Sequence, residues 1–97
     1  MTNEGTPASK PYCYSQIADE QLDILASGLD ARTYKRLVDT CEAILDDPGL
    51  ARERSAVIAT DDGMRYRAPV NGAFPYSVFW SLTGSIARIE AVFPYDA

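Results

Sequence analysis

The sequence predicts an α+β fold in which two N-terminal helices pack on one face of an antiparallel β-meander. Apolar residues recur at the helical interval up to about residue 47, and after Arg52 they alternate with a period of two. Turn dipeptides separate the alternating segments, as expected for strands joined by hairpins. The 97 residues leave room for one domain, which we place at residues 11–97 after a polar tail at residues 1–10.

The first helix is expected to begin directly after a short extended segment. The tail Met1–Lys10 is small and polar, which predicts flexibility. Pro11–Tyr14 contains two tyrosines, which favour a short strand, and Ser15 is a suitable N-cap because its hydroxyl can accept a hydrogen bond from the first turn. The apolar residues of this helix return at helical spacing: Ile17, Ala18, Leu22, Leu25 and Leu29.

The second helix has the most regular apolar pattern in the chain. Asp30 is a suitable N-cap, and the segment Asp46-Asp47-Pro48-Gly49 should end the helix because proline cannot continue the hydrogen-bond ladder. On the solvated face, Lys35 and Asp39 are oppositely charged and one turn apart. The stripe expected to face the core consists of Tyr34, Leu37, Val38, Cys41, Ile44 and Leu45.

Four strands are predicted in the second half of the chain. All four segments are rich in β-branched and aromatic residues: Ala56–Thr60, Met64–Val70, Tyr76–Leu82 and Ile86–Phe93. The connections contain Asp61-Asp62-Gly63, Asn71-Gly72 and Thr83-Gly84, which favour tight turns. Consecutive strands joined by such short turns predict an antiparallel meander.

Alternation within the strands assigns side chains to the two sheet faces. We expect Val78, Trp80, Ile89, Ala91 and Phe93 to lie under the helices. The opposite, open face is predicted to contain Arg65, Arg67, Ser77, Phe79, Ser81, Arg88 and Glu90. Three guanidinium groups around an exposed phenyl ring could hold phosphate and stack a base, whereas the alternative is an ordinary solvated sheet face with weak ion pairs such as Arg88–Glu90.

The charge distribution argues against broad nucleic-acid binding. The first 53 residues contain ten acidic and five basic residues, the remainder contains four of each, and the net charge is −5. Binding to nucleic-acid backbones normally needs a basic face that releases counterions. Direct nucleic-acid binding is therefore expected to be weak.

Few residues are available for catalysis or for holding a cofactor. The chain contains no histidine, which excludes Ser-His-Asp and Cys-His arrangements and histidine-containing metal sites. There is no glycine-rich phosphate loop, and Cys13 and Cys41 do not form a CxxC pair. We expect no cofactor and no metal. The polar start of the chain and the lack of a long apolar run predict a cytoplasmic protein without a membrane segment.

Several local patterns occur in a particular order along the chain. The helical half contains Tyr12-x-Tyr14-Ser15, Tyr34-Lys35-Arg36-Leu37 and Ile44-Leu45-Asp46-Asp47-Pro48. The sheet half contains Met64-Arg65-Tyr66-Arg67, Asn71-Gly72, Tyr76-Ser77-Val78-Phe79-Trp80 and Ile86-Ala87-Arg88-Ile89. From about Tyr12 to Phe93, this ordered set resembles the RelE/ParE superfamily, the toxin components of bacterial type II toxin–antitoxin pairs.

The resemblance implies one of two activities. RelE-like members cleave mRNA in the ribosome with basic residues on the sheet, whereas ParE-like members poison DNA gyrase. The resemblance matches Arg65, Arg67 and Tyr95 to catalytic positions of the nucleases, and if the chain is a nuclease the catalytic residues are expected to be Arg65, Arg67, Arg88 and Tyr95. With no histidine present, Glu90 would be the base and Tyr95 the acid.

This chain departs from the nuclease pattern of the family in its residues and in its charge: of the C-terminal catalytic region only Tyr95 is present, and the strongly basic surface is absent. The aromatic–arginine pair of RelE-like nucleases reads Tyr76-Ser77 here, so one phosphate-contacting arginine is absent. We therefore predict first a ParE-like toxin that acts by protein binding and has a cognate antitoxin as its partner. The alternatives are a ribosome-dependent mRNA endonuclease and a non-toxic partner-binding module with the same fold.

Overall fold

The computed structural model describes residues 13–95 of the chain. Helices come first along the chain, and strands follow. The helices are α1 (Gln16–Gly28), α2 (Ala31–Asp46) and α3 (Pro48–Glu53), and the strands are β1 (Ala56–Thr60), β2 (Gly63–Pro69), β3 (Tyr76–Thr83) and β4 (Ile86–Pro94). The predicted α+β class is confirmed. The predicted tail at residues 1–10 and the first two residues of the predicted N-terminal strand lie outside the described residues.

The strands form one antiparallel sheet in the order β1-β2-β3-β4, as the meander prediction requires. The strand ends lie within about one residue of those predicted. Gly63, Gly72 and Gly84 lie in or beside the three connections and have φ angles of 117°, 82° and 64°. Residues with side chains rarely adopt these backbone angles, which explains the glycine at each turn.

The prediction of only two helices is wrong, because a third helix follows α2. Asp47 and Pro48 end α2 as expected, and the same two residues begin α3. Asp47 Oδ1 accepts a hydrogen bond from the backbone N–H of Leu50 at 3.1 Å, and Pro48 occupies the first turn. In that turn the missing N–H of proline is not needed by the helix, so the residue that stops one helix can start the next.

The helices cover one face of the sheet and enclose the core with it. Leu37, Cys41 and Ile44 of α2 are buried, as predicted, and so are the sheet residues Val78, Trp80, Ala87 and Ile89. The indole N–H of Trp80 donates to the hydroxyl of Ser55 at 3.1 Å, which satisfies the polar atom of a fully buried ring. No helix within residues 13–95 is both long and apolar enough to cross a membrane.

The start of α1 is attached to the outer edge of β4. Tyr14 makes only an isolated parallel bridge to Ile89, so the predicted N-terminal strand is reduced to this contact among the described residues. The backbone N–H of Ile89 donates a hydrogen bond to the carbonyl of Cys13 at 2.7 Å, and its carbonyl accepts one from the N–H of Ser15 at 2.8 Å. The Ser15 hydroxyl donates to the carbonyl of Glu90, and the Gln21 side chain accepts from the N–H of Val92, both at 2.6 Å. These bonds satisfy edge groups of β4 that would otherwise be free to pair with another strand.

A β-bulge in β4 reverses the side-chain alternation near the end of the sheet. Phe79 lies opposite Ala91 and Trp80 lies opposite Ile89, which leaves Glu90 as an extra residue. Beyond the bulge, Val92 is buried in the core. The prediction that Ala91 and Phe93 lie under the helices is therefore wrong, because one inserted residue moves the following side chains to the opposite face.

Candidate interaction surface on the open sheet face

The face of the sheet away from the helices contains the residues predicted for the site. Arg67 lies opposite Phe79 across β2 and β3, and Arg88 lies opposite Ser81 across β3 and β4. Arg65 is two residues from Arg67 on the same strand and therefore shares its face. We call this surface the open face, and its side chains are Arg65, Arg67, Phe79, Ser81, Arg88, Glu90, Phe93 and Tyr95.

Three aromatic rings form a cluster on the open face. Phe79 and Phe93 are stacked, with ring centroids 4.6 Å apart and an interplanar angle of 9°. Tyr95 meets Phe79 edge-on at 5.4 Å and 83°. Such pairs contribute roughly 0.5–1.5 kcal/mol beyond their buried area, so the rings hold one another in place.

Tyr95 is anchored although it lies close to the end of the chain. Its backbone N–H donates to the carbonyl of Pro75 at 2.8 Å. Its ring lies under the guanidinium of Arg67, whose Cζ is 5.0 Å from the ring centroid. At an incompletely buried position this cation–π contact contributes about 0.5–1 kcal/mol. The structure thus brings together two of the four residues assigned to a nuclease site.

The two other assigned residues share the open face, and each has different surroundings. Arg65 is half-buried and donates from Nη1 to the carbonyl of Met64 at 3.2 Å. Arg88 is exposed, and the predicted Arg88–Glu90 ion pair is not formed, because Glu90 Oε2 instead accepts a hydrogen bond from the Ser81 hydroxyl at 2.6 Å. Within residues 13–95 the one ion pair is the predicted Lys35–Asp39 contact at 2.9 Å. The guanidinium groups of the open face are therefore available to an anionic partner.

Phe93 is the functional candidate that the alternation pattern missed. The run Ala91-Val92-Phe93 is apolar at three consecutive positions, so a period of two cannot assign all of it to one face. This run is the signal that could have indicated a bulge. The bulge adds Phe93 to Phe79 and gives the open face a stacked aromatic pair in place of a single exposed ring.

Away from the open face, the described residues offer little reactive chemistry. No group of three or more possible metal ligands occurs within residues 13–95. Burial raises the pKa of the Cys41 thiol from 9.0 to about 12, and the carboxylate of Glu42 adds to the shift. The thiol therefore stays protonated at neutral pH and is not a nucleophile.

No protein-family model, curated protein or solved structure matches the chain. Support for a function therefore comes from the open face itself and from the ordered sequence patterns.

Proposed function

We propose that this chain is a RelE/ParE-like toxin of a bacterial type II toxin–antitoxin pair. In this proposal it acts by binding a protein target, for which DNA gyrase is the candidate, and a cognate antitoxin neutralises it. The arrangement of helices on one face of an antiparallel meander, with the other face open, supports the RelE/ParE-like fold. The order of the sequence patterns agrees with the same family.

The observation that most supports protein binding is the aromatic–arginine cluster of the open face. It combines Arg67 and Tyr95 with the stacked pair Phe79 and Phe93. Arginine and aromatic residues dominate the binding energy of protein interfaces. Because these rings already constrain one another, a partner would bind them with little further loss of side-chain entropy.

The same face is poorly equipped to cleave RNA. Cleavage at a ribose 2′-oxygen needs a base, a proton donor and charge to stabilise the phosphorane. The carboxylate of Glu90 is engaged by the Ser81 hydroxyl. Ser77 occupies the position where RelE-like nucleases have an arginine, and its side chain is buried at 1% exposure. Loss of one such charge-stabilising group typically lowers a rate by orders of magnitude.

Coexpression with the neighbouring gene product tests the proposal directly. We expect a complex that survives gel filtration, and we expect Arg67→Ala or Phe79→Ala to weaken its affinity by about 30-fold, as for interface hot spots. The matched control is Arg32→Ala, since Arg32 is exposed at the start of α2, on the helical side of the sheet, and should leave the affinity unchanged. A complex with unchanged affinity in all three variants, or no complex at all, would contradict the proposal.

Toxicity separates the proposed toxin from a non-toxic binding module. Expression of the chain alone should arrest growth, and purified chain should inhibit supercoiling by DNA gyrase. A chain that binds the neighbouring gene product and leaves growth unaffected would instead be the non-toxic module.

The contact between Arg67 and Tyr95 favours one second candidate, the ribosome-dependent mRNA endonuclease. The contact places a guanidinium next to a phenol, as phosphate charge stabilisation and proton donation would require. Mapping of cellular mRNA ends, with the wild type and an Arg65→Ala, Arg67→Ala double variant, distinguishes the two candidates. We expect little or no cleavage by the wild type. Ribosome-dependent cuts that disappear in the double variant would establish the nuclease instead.

A further inference from the structure

A groove on the helical side of the sheet is separate from the open face. It lies between α2, α3 and the end of β2 and has a volume of about 390 Å³, which is within the usual range for ligand sites. Five residues of α2 and the Asp47 that follows it line the groove in one stripe: Arg36, Asp39, Thr40, Ala43, Ile44 and Asp47. At 1.5 Å per residue this stripe is about 16 Å long. We call this feature the α2–α3 groove.

The floor of the α2–α3 groove is apolar. Ile44 is 2% exposed, and Ala51 and Ala68 are half-buried beside it. Leu50 forms a wall and keeps 43% of its surface exposed to solvent. Covering this surface with an apolar side chain would remove it from water, which favours binding in proportion to the area buried.

The rim of the groove contains two acidic and two basic side chains, and the acids already have partners. Asp39 Oδ2 is 2.9 Å from the ammonium group of Lys35, and Asp47 Oδ1 accepts from the N–H of Leu50. Within residues 13–95, neither Arg36 nor Arg54 has a carboxylate within 4 Å. Together with Lys35, this rim has three basic side chains against two acidic ones, and the guanidinium groups of Arg36 and Arg54 favour an anionic occupant.

Arg36 is also held in position by the turn between β2 and β3. A Cβ atom built on Gly72 would lie 2.8 Å from Arg36 Cδ, 2.9 Å from Nε and 3.0 Å from Cζ. The arginine side chain therefore lies directly against the glycine backbone, in space that any other residue would occupy. This contact restricts the side chain before a ligand arrives, which reduces the entropy lost on binding.

We propose that the α2–α3 groove binds a short acidic segment of a partner protein. An apolar side chain of about the size of leucine or phenylalanine would cover the floor, and carboxylates on either side of it would pair with Arg36 and Arg54. An extended chain advances about 3.3 Å per residue, so the groove accommodates about five residues. This site is independent of the open face and of the proposed toxin activity.

The test uses the full chain labelled with ¹⁵N and a mixture of capped pentapeptides. Each peptide has glutamate at its first and fifth positions and leucine or phenylalanine at its third. A matched mixture has lysine in place of glutamate. We expect saturable shifts of the amide signals of Ile44, Ala51, Ala68 and Asn71 with the glutamate mixture, and much smaller shifts with the lysine mixture.

Substitutions at the rim then test the charge pairing. We expect Arg36→Gln and Arg54→Gln each to weaken binding roughly two- to fivefold, as for partly exposed ion pairs. Arg32→Gln, which removes an exposed arginine of α2 outside the groove, should leave the affinity unchanged. The proposal is overturned if the groove amides do not shift at millimolar peptide, if both mixtures shift them equally, or if Arg32→Gln weakens binding as much as the rim variants.

Discussion

The hydroxyl of Ser15 joins the start of α1 to the bulge in β4, and its removal should be costly. Its oxygen accepts a hydrogen bond from the N–H of Ala18 at 3.0 Å. The same hydroxyl donates to the carbonyl of Glu90 at 2.6 Å, and the residue is only 7% exposed. Ser15→Ala therefore removes a helix cap and a long-range bond at once.

The expected loss follows from these two bonds. Losing a serine N-cap costs about 1 kcal/mol of the free energy of unfolding. Leaving the partly buried carbonyl of Glu90 without its partner costs about 1–2 kcal/mol more. We therefore expect Ser15→Ala to lower the free energy of unfolding by about 2–3 kcal/mol. Ser15→Thr keeps the hydroxyl and should lose much less.

Urea unfolding of the full chain, followed by the fluorescence of its single tryptophan, measures this loss. Asp30→Ala provides a comparison, since Asp30 caps α2 through the N–H and hydroxyl of Thr33 and makes no long-range bond among the described residues. Its loss should be clearly smaller than that of Ser15→Ala. If Ser15→Ala destabilises the chain no more than Asp30→Ala does, the bond to Glu90 contributes nothing and the reasoning is refuted.

Three further predictions concern the turn beside the α2–α3 groove and the core. Gly72→Ala should cost about 1–2 kcal/mol because of the φ angle of 82°. Gly72→Ala should be less destabilising in an Arg36→Ala background, where the new methyl group no longer meets the arginine side chain. Equal shifts in melting temperature in the two backgrounds would contradict this role of Arg36. Folding raises the pKa of the Cys41 thiol from 9.0 to about 12, so the thiol of the unfolded chain ionises at a lower pH than that of the folded chain. The contribution of this thiol to the free energy of unfolding is therefore complete below pH 9 and is lost as the pH rises towards 12. Urea titrations across that range should show a shallower fall for Cys41→Ala, and parallel curves would refute the assignment. Trp80→Phe removes the bond to Ser55 and leaves a cavity, and should cost about 2 kcal/mol in urea unfolding followed by circular dichroism.

Features that depend on neighbouring residues could be predicted from the sequence. Ser15 and Asp30 were recognisable as N-caps because a cap bonds the backbone three residues away. The strands were recognisable because a glycine-containing turn marks the end of one strand and the start of the next. Such short turns allow only neighbouring strands to pair, in an antiparallel direction. The stripe of α2 and the core position of Trp80 followed from periodicity, since a regular element repeats its faces at a constant interval.

Features that depend on distant residues required the tertiary structure. Whether Phe93 faces the helices or the solvent depends on the bulge at Glu90, and this bulge exists only in the pairing of β4 with β3. The carbonyl of Glu90 also accepts a hydrogen bond from the hydroxyl of Ser15, which is far away in sequence. Tyr95 is fixed by the carbonyl of Pro75 and the guanidinium of Arg67, neither of which is its neighbour in sequence.

The sequence by itself thus determined the α+β class, the strand order and, as far as the bulge in β4, the face of the sheet on which each strand residue lies. The tertiary structure alone decided the aromatic cluster and the α2–α3 groove, which α2, α3 and β2 form together. The physical reason is that periodicity reports the local backbone, whereas an inserted residue or a shared groove depends on contacts between elements far apart in the chain.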